Sequence, residues 1–400
     1  MFLRNCWYVA GWSHDIAADG LVSRTMLGEP IVLYRKGDGG VVALEDRCCH
    51  RLAPLSRGRI EGDDLRCMYH GLKFAPSGKC VEVPGQDIVP STAVVRSYPV
   101  VEQDCWVWLW MGDPALADPA LIPAALGHDH PDWFMQTGQL AYDANYELIN
   151  DNLLDLTHLS YVHEKTLGRN SMSWGESRPK ITPIERGLRI ARWVVNNPAP
   201  AYLGLPPEAR TDMWASYDYL VPGVFLLATQ SHPPGTAAAC DRGAPSSEPL
   251  WRSLTSQAVT PISERQTVYY YSGCLSRSYA TEEQSRDQIA VFEKAFAEDK
   301  AMIEAQQRVV ERTPERRMMV LSTDGALNQF RRLMAGLIET EQQPATAPHP
   351  TPGTPALAGG RPGALPASGE REGPAKREGE GRLPAYSILS GGDEAVTGRA

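Results

Sequence analysis

Residues 48–70 read CCHRLAPLSRGRIEGDDLRCMYH, which offers Cys48 and His50 and, after sixteen intervening residues, Cys67 and His70. Each of two short segments thus supplies one thiol and one imidazole. Zinc also takes Cys and His, but its common pattern is a closely spaced pair of cysteines with a second pair further on. One thiol and one imidazole per segment suits a [2Fe–2S] centre in which the two cysteines hold one iron and the two histidines the other. Replacing thiolates by neutral imidazoles removes negative charge and raises the reduction potential. Structural zinc is the alternative. Cys49 adjoins the first pair and is either a competing thiol or, the preferred reading, an outward-facing spectator.

A second constellation lies in DNLLDLTHLSYVH, residues 151–163, with His158 and His163 five apart and Asp155 three before His158. At 100° per residue, positions five apart on an ideal helix differ by about 140°. The two histidines can share a metal only if the helix bends, widens or ends. Far along the chain, DQIAVFEKAFAEDKAMIEAQQRVVE carries an apolar stripe at Ile289, Phe292, Phe296, Ile303 and Val310, and Asp299 falls within it. A carboxylate on a buried helix face is costly unless paired or bound to metal. Its flanking residues Glu298 and Lys300 read as solvated, and a buried salt bridge is the alternative for Asp299. Two histidines and a carboxylate form the facial triad of non-haem Fe(II) oxygenases, which leaves positions open for O2. Asp155, one helical turn before His158, is placed to hydrogen-bond that imidazole through its carboxylate. Asn152 is a further candidate near the iron.

These segments need elements to position them. EPIVLYRKGDGGVVALED and LRCMYHGLKFAPSGKCVEV read as antiparallel hairpins around Gly-containing turns, and CWVWLWMGDP as a further strand. Both Cys/His pairs therefore fall at the tips of a small β domain. DPALADPALIPAAL is a Pro/Ala-rich connector, NYELINDNLLDLTHLSYVH looks helical, residues 190–275 return to strands, and helices follow at about 284–311 and 324–342. From about residue 342 the chain is Pro, Gly, Ala and charge, too poor in large apolar residues to offset ordering entropy, so a disordered tail is expected.

The chain has 400 residues, 42% of them hydrophobic, and a net charge of -9, which argues against a general nucleic-acid binder. No apolar run approaches the roughly 18 residues of a membrane span, and the N-terminus lacks the pattern of a secretory signal. Eight cysteines, two of them adjacent, suit a reducing compartment with a metal site and hence a cytoplasmic location.

The stretches WYVAGW, CCHRLAPL, CMYHGLKF, VPGQ, NDNLLDLTHLSYVH and FAEDKAMIEAQQ together resemble the Rieske non-haem iron oxygenases, catalytic (α) subunits, and within them the compact vanillate and dicamba O-demethylase group. The resemblance runs from Met1 to about Gln342, with Cys49 standing where that family commonly has Pro. It implies an α+β chain: an N-terminal Rieske antiparallel β domain over residues 1–115, then a helix-grip (START-like) catalytic domain over 116–341. Residues 342–400, the tail, have no counterpart. It further implies that Cys48, His50, Cys67 and His70 hold the [2Fe–2S] cluster and that His158, His163 and Asp299 hold a mononuclear non-haem Fe(II). Asp155 would bridge the two sites between neighbouring subunits of a homotrimer.

The implied activity is that of the oxygenase component of a multicomponent monooxygenase acting on an aromatic acid, with O2 as co-substrate and NAD(P)H electrons delivered by a flavin/[2Fe–2S] reductase or a ferredoxin. Oxidative O-demethylation is the first reading, giving a hemiacetal that collapses to a phenol and formaldehyde. Ring or side-chain hydroxylation is the second. An electron carrier without catalytic iron is a remote third, which the facial triad disfavours. Residues 165–280 are expected to line the substrate pocket, with Arg192 and His232 as candidate anchors for the acid group.

Overall fold

The structure, a computed structural model, describes residues 1–343 except 170 and 204. The tail expected over residues 342–400 lies, from residue 344 onward, outside the described residues.

Ten strands precede residue 115: β1 (Trp7–Trp12), β2 (Val22–Met26), β3 (Glu29–Arg35), β4 (Val41–Glu45), β5 (Arg59–Glu61), β6 (Asp64–Arg66), β7 (Lys73–Phe74), β8 (Cys80–Glu82), β9 (Val100–Gln103) and β10 (Trp106–Trp110). They form three antiparallel sheets, ordered β2-β3-β4, β5-β6-β7-β8 and β1-β10-β9. The expected hairpins are present. In the β7/β8 turn Gly78 has φ +81°, and a Cβ there would lie 2.1 Å from the Val95 carbonyl, so both conformation and space require glycine. Val32, Tyr34, Leu44, Leu55, Leu65 and Phe74 build a core that also encloses the Cys48 and Cys67 side chains. β10 is buried at all five positions because both of its faces are covered. Trp106, Trp108 and Trp110 pack with Trp7, Trp12 and Tyr270, while Val107 and Leu109 join the main core.

Beyond the connector, β11 (Trp133–Tyr142), β12 (Lys180–Ile184), β13 (Gly187–Pro198), β14 (Arg210–Leu220), β15 (Val224–His232), β16 (Trp251–Ser263) and β17 (Gln266–Ser276) form one antiparallel sheet in the order β11-β17-β16-β15-β14-β13-β12. Helices α1 (Tyr146–Leu154), α2 (Ser173–Glu176), α3 (Thr236–Ala239), α4 (Glu282–Arg312) and α5 (Gly325–Gln342) accompany it. The sheet is tied to the N-terminal strands by Thr260 Oγ1 donating to the Val9 carbonyl at 2.7 Å and Tyr270 OH donating to the Ala10 carbonyl at 3.0 Å.

α4 starts at a reciprocal capping box between Thr281 and Gln284, which satisfies orphan N–H groups of its first turn. It lies against β11 and β17. Its buried face holds Phe292, Phe296, Asp299 and Ile303, as the stripe predicts, whereas Ile289 and Val310 are only half-buried. Among the described residues, no helix is long and apolar enough to cross a membrane.

Candidate metal centres and substrate cavity

The two Cys/His segments fold into matching loops. Cys48 N–H donates to the Ala53 carbonyl and Leu52 N–H to the Cys48 carbonyl; Cys67 N–H donates to the Leu72 carbonyl and Gly71 N–H to the Cys67 carbonyl. The fourth residue after each cysteine is left-handed, Leu52 at φ 57° and Gly71 at φ 79°. At Gly71 a Cβ would also press within 2.8 Å of Pro84 Cγ. The loops bury Cys48 and Cys67 at 2% and 1% exposure, yet leave His50 and His70 exposed with ring centroids 4.6 Å apart. Burial pushes the Cys48 thiol up to about 12, and the adjacent Cys67 adds to the shift. Two neighbouring buried thiols become stable thiolates only with a cation between them. Their donor chemistry therefore suits an iron–sulfur group anchored inside by sulfur and reaching the surface through imidazoles. Cys49 is exposed, and all eight cysteines are free.

The second group forms where α1 stops. The helix expected to run through His158 ends at Leu154: Asp155 leaves helical geometry at φ -120°, ψ 94°, and its carboxylate accepts from Thr157 N–H at 3.0 Å to start a 3-10 helix over Leu156–Ser160. This break brings His158 and His163 to one side, with ring centroids 5.2 Å apart. Their ligating atoms and that of Asp299 all lie within 4.8 Å of one another. His163 Nε2 is 3.1 Å and His158 Nε2 3.6 Å from the Asp299 carboxylate. Asp299, at 4% exposure, thus faces the histidines rather than an arginine.

Both imidazoles are oriented from behind. His158 Nδ1 donates to the Asp155 backbone carbonyl at 2.6 Å, so the expected carboxylate contact is replaced by a main-chain one. His163 Nδ1 donates to Glu298 Oε2 at 2.9 Å, and Thr166 Oγ1 donates to the same oxygen at 2.7 Å. Glu298, read from sequence as solvated, is half-buried and fixes a ring; Lys300 is likewise half-buried, its ammonium on the Ala141 carbonyl. With both Nδ1 atoms engaged by these acceptors, both Nε2 atoms are turned toward Asp299, where loss of the Nε2 protons would leave their lone pairs for a bound metal. Burial lowers the pKa of His158. Burial also opposes charge on His163, but its bonds to Asp299 and Glu298 outweigh that, so its pKa is raised. Asn152 Nδ2 donates to Asp299 Oδ1 at 3.0 Å and lies 3.4 Å from His158 Nε2, which puts this amide beside two of the three groups. Two imidazoles, one carboxylate and a side facing a cavity suit an iron that keeps open positions.

That cavity has a volume of about 290 Å³ and is walled by Leu156, Trp174, Met213, Phe225, Leu227, Phe292 and Phe296, with Asn197, Thr229, Ser253, Thr255 and Gln257 as neutral polar groups. Its cations are Lys165, Arg169 and Lys294. Much of this wall comes from the expected stretch 165–280, but α4 also contributes. Neither proposed anchor lines it: His232 is fully buried beside Ser247, and Arg192 opens onto another cavity.

Residues 6–99 match the Rieske [2Fe-2S] domain and residues 142–340 the vanillate O-demethylase oxygenase C-terminal domain. The chain is 44% identical over 360 residues, 87% of this chain and 100% of the relative, to the toluene-4-sulfonate monooxygenase system iron-sulfur subunit of Comamonas testosteroni. It is 35% identical over 358 residues to the vanillate O-demethylase oxygenase subunit of Pseudomonas sp. (strain HR199 / DSM 7063), covering 87% and 98% of the two chains. The crystal structure of dicamba monooxygenase bound to dicamba superposes with a TM-score of 0.73 at 30% identity, over 85% of this chain and 98% of that one.

The Rieske domain and the candidate His158/His163/Asp299 site in the second domain define a Rieske-type oxidoreductase. The chain belongs to the Rieske non-haem iron oxygenases with a vanillate O-demethylase-type catalytic domain, as an oxygenase component that uses a [2Fe–2S] cluster and a mononuclear non-haem iron.

Proposed function

We propose that the chain oxidises a methyl substituent of an aromatic acid. The observation that carries this reading is the cavity: apolar and aromatic walls, the His158/His163/Asp299 group at one side, and Lys165, Arg169 and Lys294 as its cations. Apolar walls exclude water and hold a ring, and cations without free carboxylates favour a carboxylate or sulfonate. O-Demethylation of a methoxy acid is the first reading. Hydroxylation of a ring-borne methyl group is the second, favoured by the toluene-4-sulfonate relative.

In this proposal Cys48, His50, Cys67 and His70 hold the cluster, and His158, His163 and Asp299 hold the catalytic iron. When bound, these groups supply single electrons and the activation of O2 for insertion into a C–H bond. The chain does the rest. The Asp155 carbonyl and the Glu298 carboxylate fix the two imidazoles. Asn152 holds Asp299 and presents its amide to the cavity. The apolar walls seat the ring with its methyl group toward the His/His/Asp face. The hemiacetal left by hydroxylation of a methoxy group collapses to a phenol and formaldehyde.

A reductase or ferredoxin is the electron donor from NAD(P)H, and the exposed His50 and His70 with Leu52, Met68 and Tyr69 form an apolar-rimmed tip for its docking. In the homotrimer we propose, His70 faces Asp155 of a neighbour and the rest of the tip stays open to the donor. We place residues 1–115 in the cluster domain and 116–341 in the catalytic domain. The absence of disulfides among eight cysteines supports a cytoplasmic setting. The test is a panel of methoxybenzoates, methylbenzoates and methylbenzenesulfonates given to purified oxygenase with a surrogate reductase. Formaldehyde from methoxy acids supports the first reading and hydroxymethyl products the second; turnover of neutral ethers alone would overturn both.

A further inference from the structure

α4 reaches past the iron group to the far end of the substrate cavity. Gln288 precedes Asp299 by eleven residues on that helix, which is roughly 16 Å along its axis. β16 gives the same direction. Ser253, Thr255 and Gln257 alternate along it opposite Thr229, Leu227 and Phe225 of β15, and all of them line the cavity. Gln257 marks the iron end: its Oε1 accepts from Tyr269 OH, and the Tyr269 ring lies 5.2 Å from that of Phe296, three residues before Asp299. Ser253, four residues earlier on the strand, lies about 13 Å from Gln257 along it. It marks the other end.

At that far end two hydroxyl protons have no acceptor among the described residues. Gln288 is fully buried, and its Nε2 donates to Ser253 Oγ at 2.8 Å and, at a longer 3.5 Å, to Tyr202 OH. Gln288 Oε1 has no partner and sits against Gly273, where a Cβ would come within 2.8 Å of it. A buried carbonyl oxygen left unpaired is a smaller deficit than a buried amide NH2 left so, which favours this orientation. The short 3-10 helix Ala201–Leu203, which carries Tyr202, is pinned to α4 by Gln284 Nε2 donating to the Leu203 carbonyl at 3.2 Å. A hydroxyl whose lone pair is taken by an amide N–H keeps its own proton to give. Ser253 and Tyr202 are both in this state, and both line the cavity. Burial pushes the Tyr202 phenol up to about 12, so it keeps its proton at neutral pH.

We infer that Ser253 and Tyr202 bind the carboxylate or sulfonate of the substrate at the end of the cavity opposite the iron group, and that Gln288 positions them by holding both hydroxyls with their protons outward. The inference rests on the aromatic-acid reading above and gives the acid group its place. Hydrogen bonds to an ionised acceptor are stronger than those between neutral groups. The two hydroxyls therefore supply direction, while Lys165, Arg169 and Lys294 supply the opposite charge. An acid held there turns the other end of its ring toward His158, His163 and Asp299. Gln288 does not line the cavity and acts only through the two hydroxyls.

The test is calorimetric titration of anaerobic holoenzyme with 4-methylbenzenesulfonate, 4-methylbenzoate and, as the same ring without an acid, toluene. Ser253→Ala and Tyr202→Phe should each weaken the acids by roughly tenfold, the loss of a hydrogen bond to a charged group, and leave toluene unchanged. Gln288→Met, similar in shape but without donors, should also weaken the acids and not toluene. In the Ser253→Ala/Tyr202→Phe background Gln288→Met should cost nothing further, because a residue that acts through others has no effect once they are gone. A packing defect would instead weaken toluene in parallel and persist in that background, and that result overturns the inference. Unchanged acid affinity in Gln288→Met overturns its positioning role. Unchanged acid affinity in Ser253→Ala and Tyr202→Phe overturns the whole inference and leaves the aromatic-acid reading standing. Wild-type enzyme that binds neither acid more tightly than toluene overturns that reading, and the inference with it.

Discussion

Glu298 accepts a hydrogen bond from His163 Nδ1 at 2.9 Å, while the next residue, Asp299, lies 3.1 Å from the other nitrogen of the same ring. Consecutive carboxylates on α4 thus hold one imidazole from both sides. Glu298→Ala removes the outer acceptor and frees the ring to turn. Losing such a support typically costs 10–100-fold in metal affinity. The expected result is faster loss of the mononuclear iron on dialysis with an unchanged visible spectrum of the cluster, and Glu298→Gln, which keeps an acceptor, should recover most of the retention.

Asp155 supports His158 through its backbone, so Asp155→Asn leaves that contact in place, and its amide oxygen can still cap the 3-10 helix. Iron content should therefore stay near wild type. If the carboxylate is the bridge between subunits, substrate-dependent reoxidation of the pre-reduced cluster in a single turnover should slow by orders of magnitude. Rapid reoxidation with both metals bound would rule the bridge out.

His128 reports on folding away from the metals. It is 6% exposed, contacts the Asp104 carbonyl at 2.7 Å and Ser272 Oγ at 2.8 Å, and burial depresses its pKa despite the opposing pull of Asp104. An unfolded histidine titrates near 6.5, so stability from the neutral ring is fully present above about 6.5 and is lost as pH falls through the lower folded value. His128→Gln should flatten the fall in unfolding midpoint between about pH 7 and pH 5. An identical pH slope in wild type and variant would show that this ring does not contribute.

Much of the site was legible because its chemistry conflicts with its surroundings. Asp299 stands out as a carboxylate in an apolar stripe, and it is buried against two histidines. The Cys/His spacing stands out likewise, and the turns around Cys48 and Cys67 repeat each other bond for bond. The break after Leu154 was legible only as a condition, since helix periodicity separates His158 from His163 and the Asp155 cap that ends the helix has no apolar signature. Glu298 was missed because a charged residue beside a buried stripe ordinarily faces solvent. The clue was chemical: a ligating imidazole needs an acceptor on its other nitrogen. Arg192 could not be assigned to a cavity from sequence, because its access depends on where β12 starts, a matter of strand pairing.

The most direct measurement of the two-site account is His158→Ala, purified as holoenzyme and assayed for the cluster spectrum, mononuclear iron and aromatic-acid-dependent O2 uptake. Residues 48–70 and residues 155–163 with Asp299 form separate groups, so the account predicts a retained cluster spectrum with lost mononuclear iron and abolished turnover. A bleached cluster in correctly folded protein, or turnover that persists without His158, would contradict it.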